Sequence, residues 1–323
     1  MHRSKKYRRK SAWIAVMIIS VLMLCACEHG NNSGKPSGSV TVTPTEDPAV
    51  TGTLTQTPTS SQPLDEAPCE VHILSIGKAD CILIKADGHA MLIDAGYKRN
   101  GDLIVQYLKD HGVTKLDYLI LTHGDKDHVG GMAQVIRTFD VEKMLISPKK
   151  EKSDLYEEMA IAIKDRGVSY MSPAVGTEFE FGSGKFQTLG PGPKALKEGS
   201  DNDASIAIRF RYGNRSFLLM GDALSTTEKE LVDSSYVIRS DVLKTGHHGK
   251  NDATNKKFLK AVQPKYGVIC CGETEEGDED GDPDGKVIEL LESFRATVLR
   301  TDEVGTIVFK TDGTDLTVVT DRQ

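Results

Sequence analysis

What this 323-residue chain lacks narrows its function first. It has no internal repeat of fixed period, so a solenoid or propeller is not expected. None of the six cysteines has zinc-finger spacing. Cys69, Cys81, Cys270 and Cys271 lie in or beside apolar, strand-like runs and read as small buried hydrophobes. Basic charge is scarce away from the N-terminus. With the six basic residues before Ser11 set aside, 34 basic residues face 47 acidic ones, a formal charge of −13. Such a protein is not a general nucleic-acid binder; a phosphate polymer would need a local basic surface or bound metal. Histidine is absent between His128 and His247.

The first ten residues, MHRSKKYRRK, hold those six basic side chains, and the uncharged run SAWIAVMIISVLMLCAC follows. A basic region followed by an apolar one is the pattern of a secretory signal. The run is short for a spanning helix, so an uncleaved anchor or plain secretion is the alternative. Its end, Leu24-Cys25-Ala26-Cys27, resembles a bacterial lipobox, in which Cys27 would be lipidated and become the mature N-terminus. Acyl chains would then hold the exported protein at the outer face of the cytoplasmic membrane. Residues 28–68 are rich in Ser, Thr, Pro, Gly and Asn, as in TVTPTEDPAVTGTLTQTPTSSQP, and cannot bury a core. The expected organisation is a lipoprotein-type signal over 1–27, a disordered tether over 28–68 and one folded domain over 69–323.

In that domain CEVHILSI, DCILIKA, HAMLIDAG, LDYLILT and VEKMLIS read as strands. GDLIVQYLKDHG has helical spacing at Leu103, Ile104, Tyr107 and Leu108, with Gly112 as a stop. VGGMAQVIRTF reads as one helix and SDLYEEMAIAIKDRG as another. KFQTLG, ASIAIRFRY, RSFLLMGD, SDVLKTGHHG, KYGVICCG, ATVLRT, GTIVFKT and DLTVVT continue the strands. STTEKELVD, with Ser225 as its N-cap, ATNKKFLKAV and DGKVIELLESF are helices between them. Strands and helices alternate in two successive blocks, which favours an α/β layered architecture.

The densest chemistry lies in LTHGDKDHVGG, residues 121–131. A buried strand ends there and a helix begins. Polar side chains at that junction emerge at the C-terminal end of a sheet, where α/β sites form. Two imidazoles and two carboxylates between His123 and His128 are costly to crowd together without a cation. Gly130 and Gly131 let backbone or ligand come close. A solvated polar loop accounts for one such residue easily and for four poorly.

This run resembles the metallo-β-lactamase fold family. More closely, it is similar to the hydrolase domain of ComEC-type competence proteins and their stand-alone relatives. The matching residues are His123-x-Asp125-x-Asp127-His128 with Gly130-Gly131. LIDAG, NDASIAIRF, FLLMGD, DVLKTGHHG, FLKAVQPKYGVI and RTDEVGTIVF match in order, from about Cys69 to the C-terminus. The resemblance implies an αββα four-layer sandwich. It implies that His123 and Asp125 hold one metal, that Asp127 and His128 hold a second with His247 or His248, and that Asp222 bridges them. Asp94 would orient a ligand histidine, and Asp127 would help position the attacking water. Asp127, Asp94 and His248 carry catalysis in this reading. In the competence branch the second motif position is typically aspartate, so Asp125 is an expected ligand. Asn202, Asp203 and Ser205 stand where many members supply a further histidine, and are the expected substrate or third-ligand region.

Two segments depart from the branch. SIGKADC stands where DVGQGDA is favoured, matching at Gly77 and Asp80 but not at Ser75, Lys78 and Ala79. GDPD stands where YGHP is frequent, so Asp282 replaces a histidine beside the acidic insert ETEEGDEDGD. The expected function is a metal-dependent hydrolase at the extracytoplasmic membrane surface. It would be a phosphodiesterase or nuclease, acting on a phosphoester or nucleic acid through a metal-activated water. Oxygen-rich ligands move preference from zinc towards manganese, and two divalent ions, Zn2+ or Mn2+, are expected. The alternatives are a hydrolase of a cell-envelope or small-molecule phosphoester, and a non-catalytic surface binding protein on a retained fold. No protein partner can be inferred.

Overall fold

The computed structural model describes residues 67–275, 281 and 283–322. Cys27, Asp282, the expected signal and all of the expected tether before residue 67 lie outside them. Strands β1 (Cys69–Ile73), β2 (Ile82–Ala86) and β3 (His89–Ile93) lead to helix α1 (Gly101–Asp110). β4 (Lys115–Leu121) is followed by α2 (Lys126–Val129), α3 (Met132–Thr138), β5 (Asp140–Ile146), α4 (Asp154–Arg166) and β6 (Tyr170–Met171). Next come β7 (Glu178–Phe181), β8 (Gly184–Thr188), α5 (Pro193–Glu198), β9 (Ile208–Tyr212) and β10 (Arg215–Leu219). Then follow α6 (Ser225–Asp233), β11 (Val242–Lys244), α7 (Lys256–Val262), β12 (Tyr266–Ile269) and α8 (Gly285–Ser293). β13 (Thr297–Arg300), α9 (Thr301–Val304), β14 (Ile307–Thr311) and β15 (Leu316–Thr320) close the chain.

The strands form two mixed sheets, ordered β15-β14-β1-β2-β3-β4-β5-β6 and β13-β12-β11-β10-β9-β8-β7. Side chains alternate across a strand, and here both faces are apolar. In the first sheet Ile82, Ile84, Met91, Ile93 and Ile120 face inwards, where they meet Phe186, Phe210, Phe217, Leu219, Val242 and Val268 of the second. The alternate residues Leu83, Leu92, Leu119 and Leu121 pack outwards on α1, α3 and α4 through Ile104, Leu108, Val135, Ile136 and Met159. Leu218, Leu243 and Ile269 do the same on α6, α7 and α8 through Leu231, Phe258, Leu259 and Leu291. These three apolar layers make the αββα sandwich expected from the resemblance. Among the described residues no helix is long and apolar enough to cross a membrane. Cys69, Cys81, Cys270 and Cys271 are buried free thiols.

Two expected features differ. VGGMAQVIRTF is not one helix: α2 ends at Val129 and α3 begins at Met132. The break lets the chain press on its neighbour, since a Cβ at Gly130 would stand 2.3 Å from Lys98 N and 2.6 Å from Gly96 O. Ser225 is the first residue of α6 rather than its cap, and Leu224 in the cap position makes no side-chain bond. A distant carboxylate does this work instead. Asp203 Oδ1 accepts from Leu224 N and Thr227 N, each at 3.1 Å.

The parallel pairs β3–β4 in one sheet and β10–β11 in the other end close to one another. The residues that follow these four strands are Asp94, Thr122-His123, Asp222 and Thr245–His248.

Candidate metal centre

Asp94 follows β3 in a left-handed conformation, with φ of 59°. Three contacts hold its fully buried carboxylate. Thr122 N donates to Oδ1 at 2.8 Å, Thr122 Oγ1 donates to Oδ2 at 2.6 Å, and His128 Nδ1 lies 2.7 Å from Oδ2. The Thr122 hydrogen being committed to Asp94, its oxygen is an acceptor for His123 Nδ1 at 3.2 Å. His248 Nδ1 donates to Cys270 O at 2.9 Å. Each imidazole therefore has its Nδ1 fixed by protein and its Nε2 turned to a common centre. Fixing one ring nitrogen in this way is what sets a metal-ligating histidine.

At that centre Asp222 lies between the rings. Its Oδ1 is 3.3 Å from His128 Nε2, and its Oδ2 is 3.3 Å from His248 Nε2 and 4.0 Å from His123 Nε2. Asp127 Oδ2 is 3.3 Å from His248 Nε2, and Asp125 Oδ2 is 3.5 Å from His123 Nε2. Donor atoms of Asp127, His128, Asp222 and His248 all lie within 4.8 Å of one another. Yet Nε2 of His123, His128 and His248, and Oδ1 of Asp222, are buried with no hydrogen-bond partner. Buried polar atoms are rarely left so. Three imidazole nitrogens and a carboxylate oxygen, aimed together and unbonded, are a donor set that fits a divalent metal.

The electrostatics carry the same imprint. Burial works against charge on His128, but Asp222 and Asp94 outweigh it and hold its pKa well above the usual range. Burial likewise opposes charge on His248, while Asp222 and Asp127 raise it to about 9. Burial would raise Asp127 and Asp222, but His248 and His128 pull both well below the carboxylate range. For Asp125 the His123 ring beside it is the first cause, and it lowers the carboxyl. Without metal, protons on imidazole supply the cations these carboxylates require.

The structure separates the two histidines that the sequence left open. His247 and His248 are consecutive left-handed residues, with φ of 45° and 50°. This turn sends His248 into the cluster and His247 outwards, where its Nδ1 lies 2.9 Å from Asp252 Oδ2. The expectation of a ligand at His247 is thus corrected: it lines a cavity beside the cluster. That cavity, about 440 Å³, is also lined by Lys78, Asp125, Lys126, Asp127, Glu151, Asn202 and Asp222. The NDAS segment divides its work. Asn202 reaches the cavity; Ser205 Oγ accepts from Asp222 N at 3.1 Å; Asp203 is spent on the start of α6 and is corrected from a candidate ligand to a helix cap.

One residue escaped sequence reasoning. Lys244 is fully buried beneath the cluster. Its Nζ lies 2.5 Å from Asp80 Oδ2, donates to Gly221 O at 2.8 Å and stands 3.6 Å from Asp222 Oδ1. Burial disfavours its charge, but Asp80 and Asp222 raise its pKa far beyond any working pH. A lysine inside the apolar strand DVLKTG, just before the histidine pair, was the signal available.

Residues 75–273 match the Metallo-beta-lactamase superfamily. The chain belongs to this superfamily. Membership implies a divalent-metal hydrolase, and the buried donors fit one. The chain is 30% identical over 260 residues to ComE operon protein 3 of Bacillus subtilis, covering 75% of this chain and 33% of that protein. It is 28% identical over 241 residues to competence protein ComA of Neisseria gonorrhoeae, covering 74% and 32%. It is 28% identical over 208 residues to recombination protein 2 of Haemophilus influenzae, covering 63% and 24%. The chain thus spans a third or less of the curated relatives it matches. Among solved structures, the metallo hydrolase Igni18 of Ignicoccus hospitalis aligns with a TM-score of 0.52 at 14% identity, over 75% of this chain and 99% of that one. The diiron β-hydroxylase CmlA of Streptomyces venezuelae aligns with a TM-score of 0.52 at 11% identity, over 76% and 54%. Both show the metallo-beta-lactamase fold and nothing finer.

Two measurements follow from the cluster. Lys244→Met leaves Asp80 buried without its cation and is expected to cost about 3–5 kcal/mol, read by denaturant unfolding of metal-free protein. The His248 proton contributes stability that is fully present below the unfolded pKa of about 6.5 and is lost as pH rises through about 9. Thermal melts in chelator should therefore fall across that interval, and a flat profile would remove the proton from the cluster.

Proposed function

We propose that this protein is a metal-dependent phosphodiesterase, with nucleic acid as its leading substrate. The observation that carries the reading is the set of inward, unbonded Nε2 atoms and Asp222 Oδ1 at the foot of an open cavity. A tight anion-lined cluster beside a cavity suits attack on a phosphoryl group better than simple structural metal binding. The names of two relatives, a competence protein and a recombination protein, favour a nucleic-acid substrate.

In this reading His123 and Asp125 would hold one ion, Asp127, His128 and His248 would hold another, and Asp222, which stands among all three imidazoles, would serve both. Three carboxylates against three imidazoles suit Mn2+ or Zn2+. Bound metal supplies Lewis acidity towards a phosphoryl oxygen and makes water a nucleophile near neutral pH. Asp127 belongs both to the cluster and to the cavity wall, so its carboxylate is placed to orient the attacking water. Asp94 acts through His128, fixing Nδ1 so that Nε2 stays directed at the centre. Asn202 adds a polar side chain to the wall.

A second reading keeps this site and takes a small or cell-envelope phosphoester. The charge of −13 beyond the first ten residues favours it, as does Glu151 on the cavity wall. We further propose that the protein is exported and held at the membrane by a lipidated Cys27, on the strength of the basic and apolar N-terminal run and LCAC.

The test uses the full-length chain with Mn2+, Zn2+ or Mg2+ against single-stranded DNA and bis(p-nitrophenyl) phosphate. Asp94→Ala, which leaves every proposed ligand in place, should lose about 10–100-fold in metal affinity or activity, and Asp127→Ala and His128→Ala more. Equal activity in wild type and variants sinks the site. DNA cleavage should weaken steeply with salt, while hydrolysis of the small ester should not. For the anchor, the mass of the mature protein should show acyl groups on Cys27, and Cys27→Ser should release the protein from membranes. An unmodified mature N-terminus elsewhere would remove lipidation.

A further inference from the structure

The connection between β1 and β2 carries SIGKADC, the segment in which this chain departs from the competence branch. It is pinned on several sides. Leu74 N donates to Cys81 O at 3.1 Å, Lys78 N to Glu273 O at 3.0 Å, and Asp80 N to Asp127 O at 3.2 Å. Gly77 has a φ of 89°, and a Cβ there would lie 2.3 Å from Glu273 O. Only glycine lets the loop close on that carbonyl.

The pinning fixes where Lys78 goes. Its side chain is almost wholly buried, yet it lines the cavity, and its Nζ stands 3.9 Å from Asp127 Oδ2. Lys244 already lies beside Asp80 and Asp222 from beneath. Lys78 stands on the cavity wall. Where the resemblance to the competence branch puts a glutamine amide, this chain sets an ammonium with three donors.

We propose that Lys78 is a substrate-binding residue whose ammonium takes a non-bridging oxygen of the phosphoryl group being cleaved. The proposal rests on the phosphodiesterase reading for its substrate, but not for its anion chemistry. A point charge at the cavity wall favours a phosphoryl group over a neutral ester or amide. Lys126, on the same wall, is more exposed and belongs to the rim.

Lys78→Gln and Lys78→Arg in the full-length chain test this with three readouts. Inorganic phosphate titrated into the Mn2+-loaded protein should bind about tenfold more weakly to Lys78→Gln, the worth of one charge-assisted hydrogen bond. Lys78→Arg should keep most of the affinity. KM for bis(p-nitrophenyl) phosphate should rise by a similar factor while bound Mn2+, measured by elemental analysis, stays constant. Equal phosphate affinity in wild type and Lys78→Gln overturns the proposal, whether or not turnover is seen. Metal lost together with phosphate affinity also overturns it, since Lys78 would then be structural. A wild type that cleaves no phosphodiester but shows the phosphate difference retires the phosphodiesterase reading and upholds Lys78 as an anion-binding residue.

Discussion

Too many carboxylates meet in too little water where the two sheets end, and much of the structure answers that crowding. Asp80, Asp94, Asp127 and Asp222 are buried, and Asp125 is half-buried beside them. Lys78 and Lys244 form ion pairs with this group and offset part of its negative charge. Protons on His128 and His248, favoured by the carboxylates around them, offset more of it when no metal is bound. Bound divalent cations in place of those protons would offset the remaining negative charge.

The fold makes such crowding tolerable. Strands apolar on both faces anchor the sheets so firmly that their ends can carry polar and strained residues. Asp94, His247 and His248 all sit in left-handed conformations that side chains seldom adopt. Strain of this kind persists where the surroundings over-determine it. Here Asp94 is fixed by Thr122 and His128, and His248 by the carbonyl of Cys270. The loop after the histidine pair is tied down by Glu228, whose carboxylate accepts from Thr254 N and Asn255 N. That clamp is itself buried, with a carboxyl pushed up to about 7 by desolvation.

The strands and most helices were legible because their alternation is strong: Ile82-Leu83-Ile84 and Phe217-Leu218-Leu219 show it residue by residue. The short elements were not. β6 has only two residues, both exposed, and its pairing with β5 is a tertiary event. β7 did carry the alternating EFEF signal, with Phe181 on the buried face. The helix break at Gly130 depends on the backbone of residues 96–98, which no local pattern announces. The run His123–His128 and the strand ends LIDAG, MGD and HHG marked the site. The choice of His248 over His247 was not legible, because it is made by two left-handed residues in succession. Lys244 looked like an ordinary strand residue; its partner Asp80 is far away in sequence.

Asp127 and Asp222 belong both to the donor cluster and to the cavity wall, whereas Lys78, Glu151, Asn202 and His247 line the wall without supplying a donor to the cluster. His123 and Asp222 follow strand ends, Asp127 and His128 lie in α2, and one turn after β11 sends His248 to the cluster and His247 to the wall, where Lys78, Glu151 and Asn202 join it. NDAS shows the division within four residues. Asn202 faces the cavity, Asp203 caps α6, and Ser205 holds the backbone of Asp222. The missing histidine in this segment therefore leaves the metal-facing set intact and alters the wall. Lys78 alters the wall again by adding a charge. Substrate differences within the superfamily should accordingly be sought in such loop residues, which can change without disturbing the balance of charge beneath them.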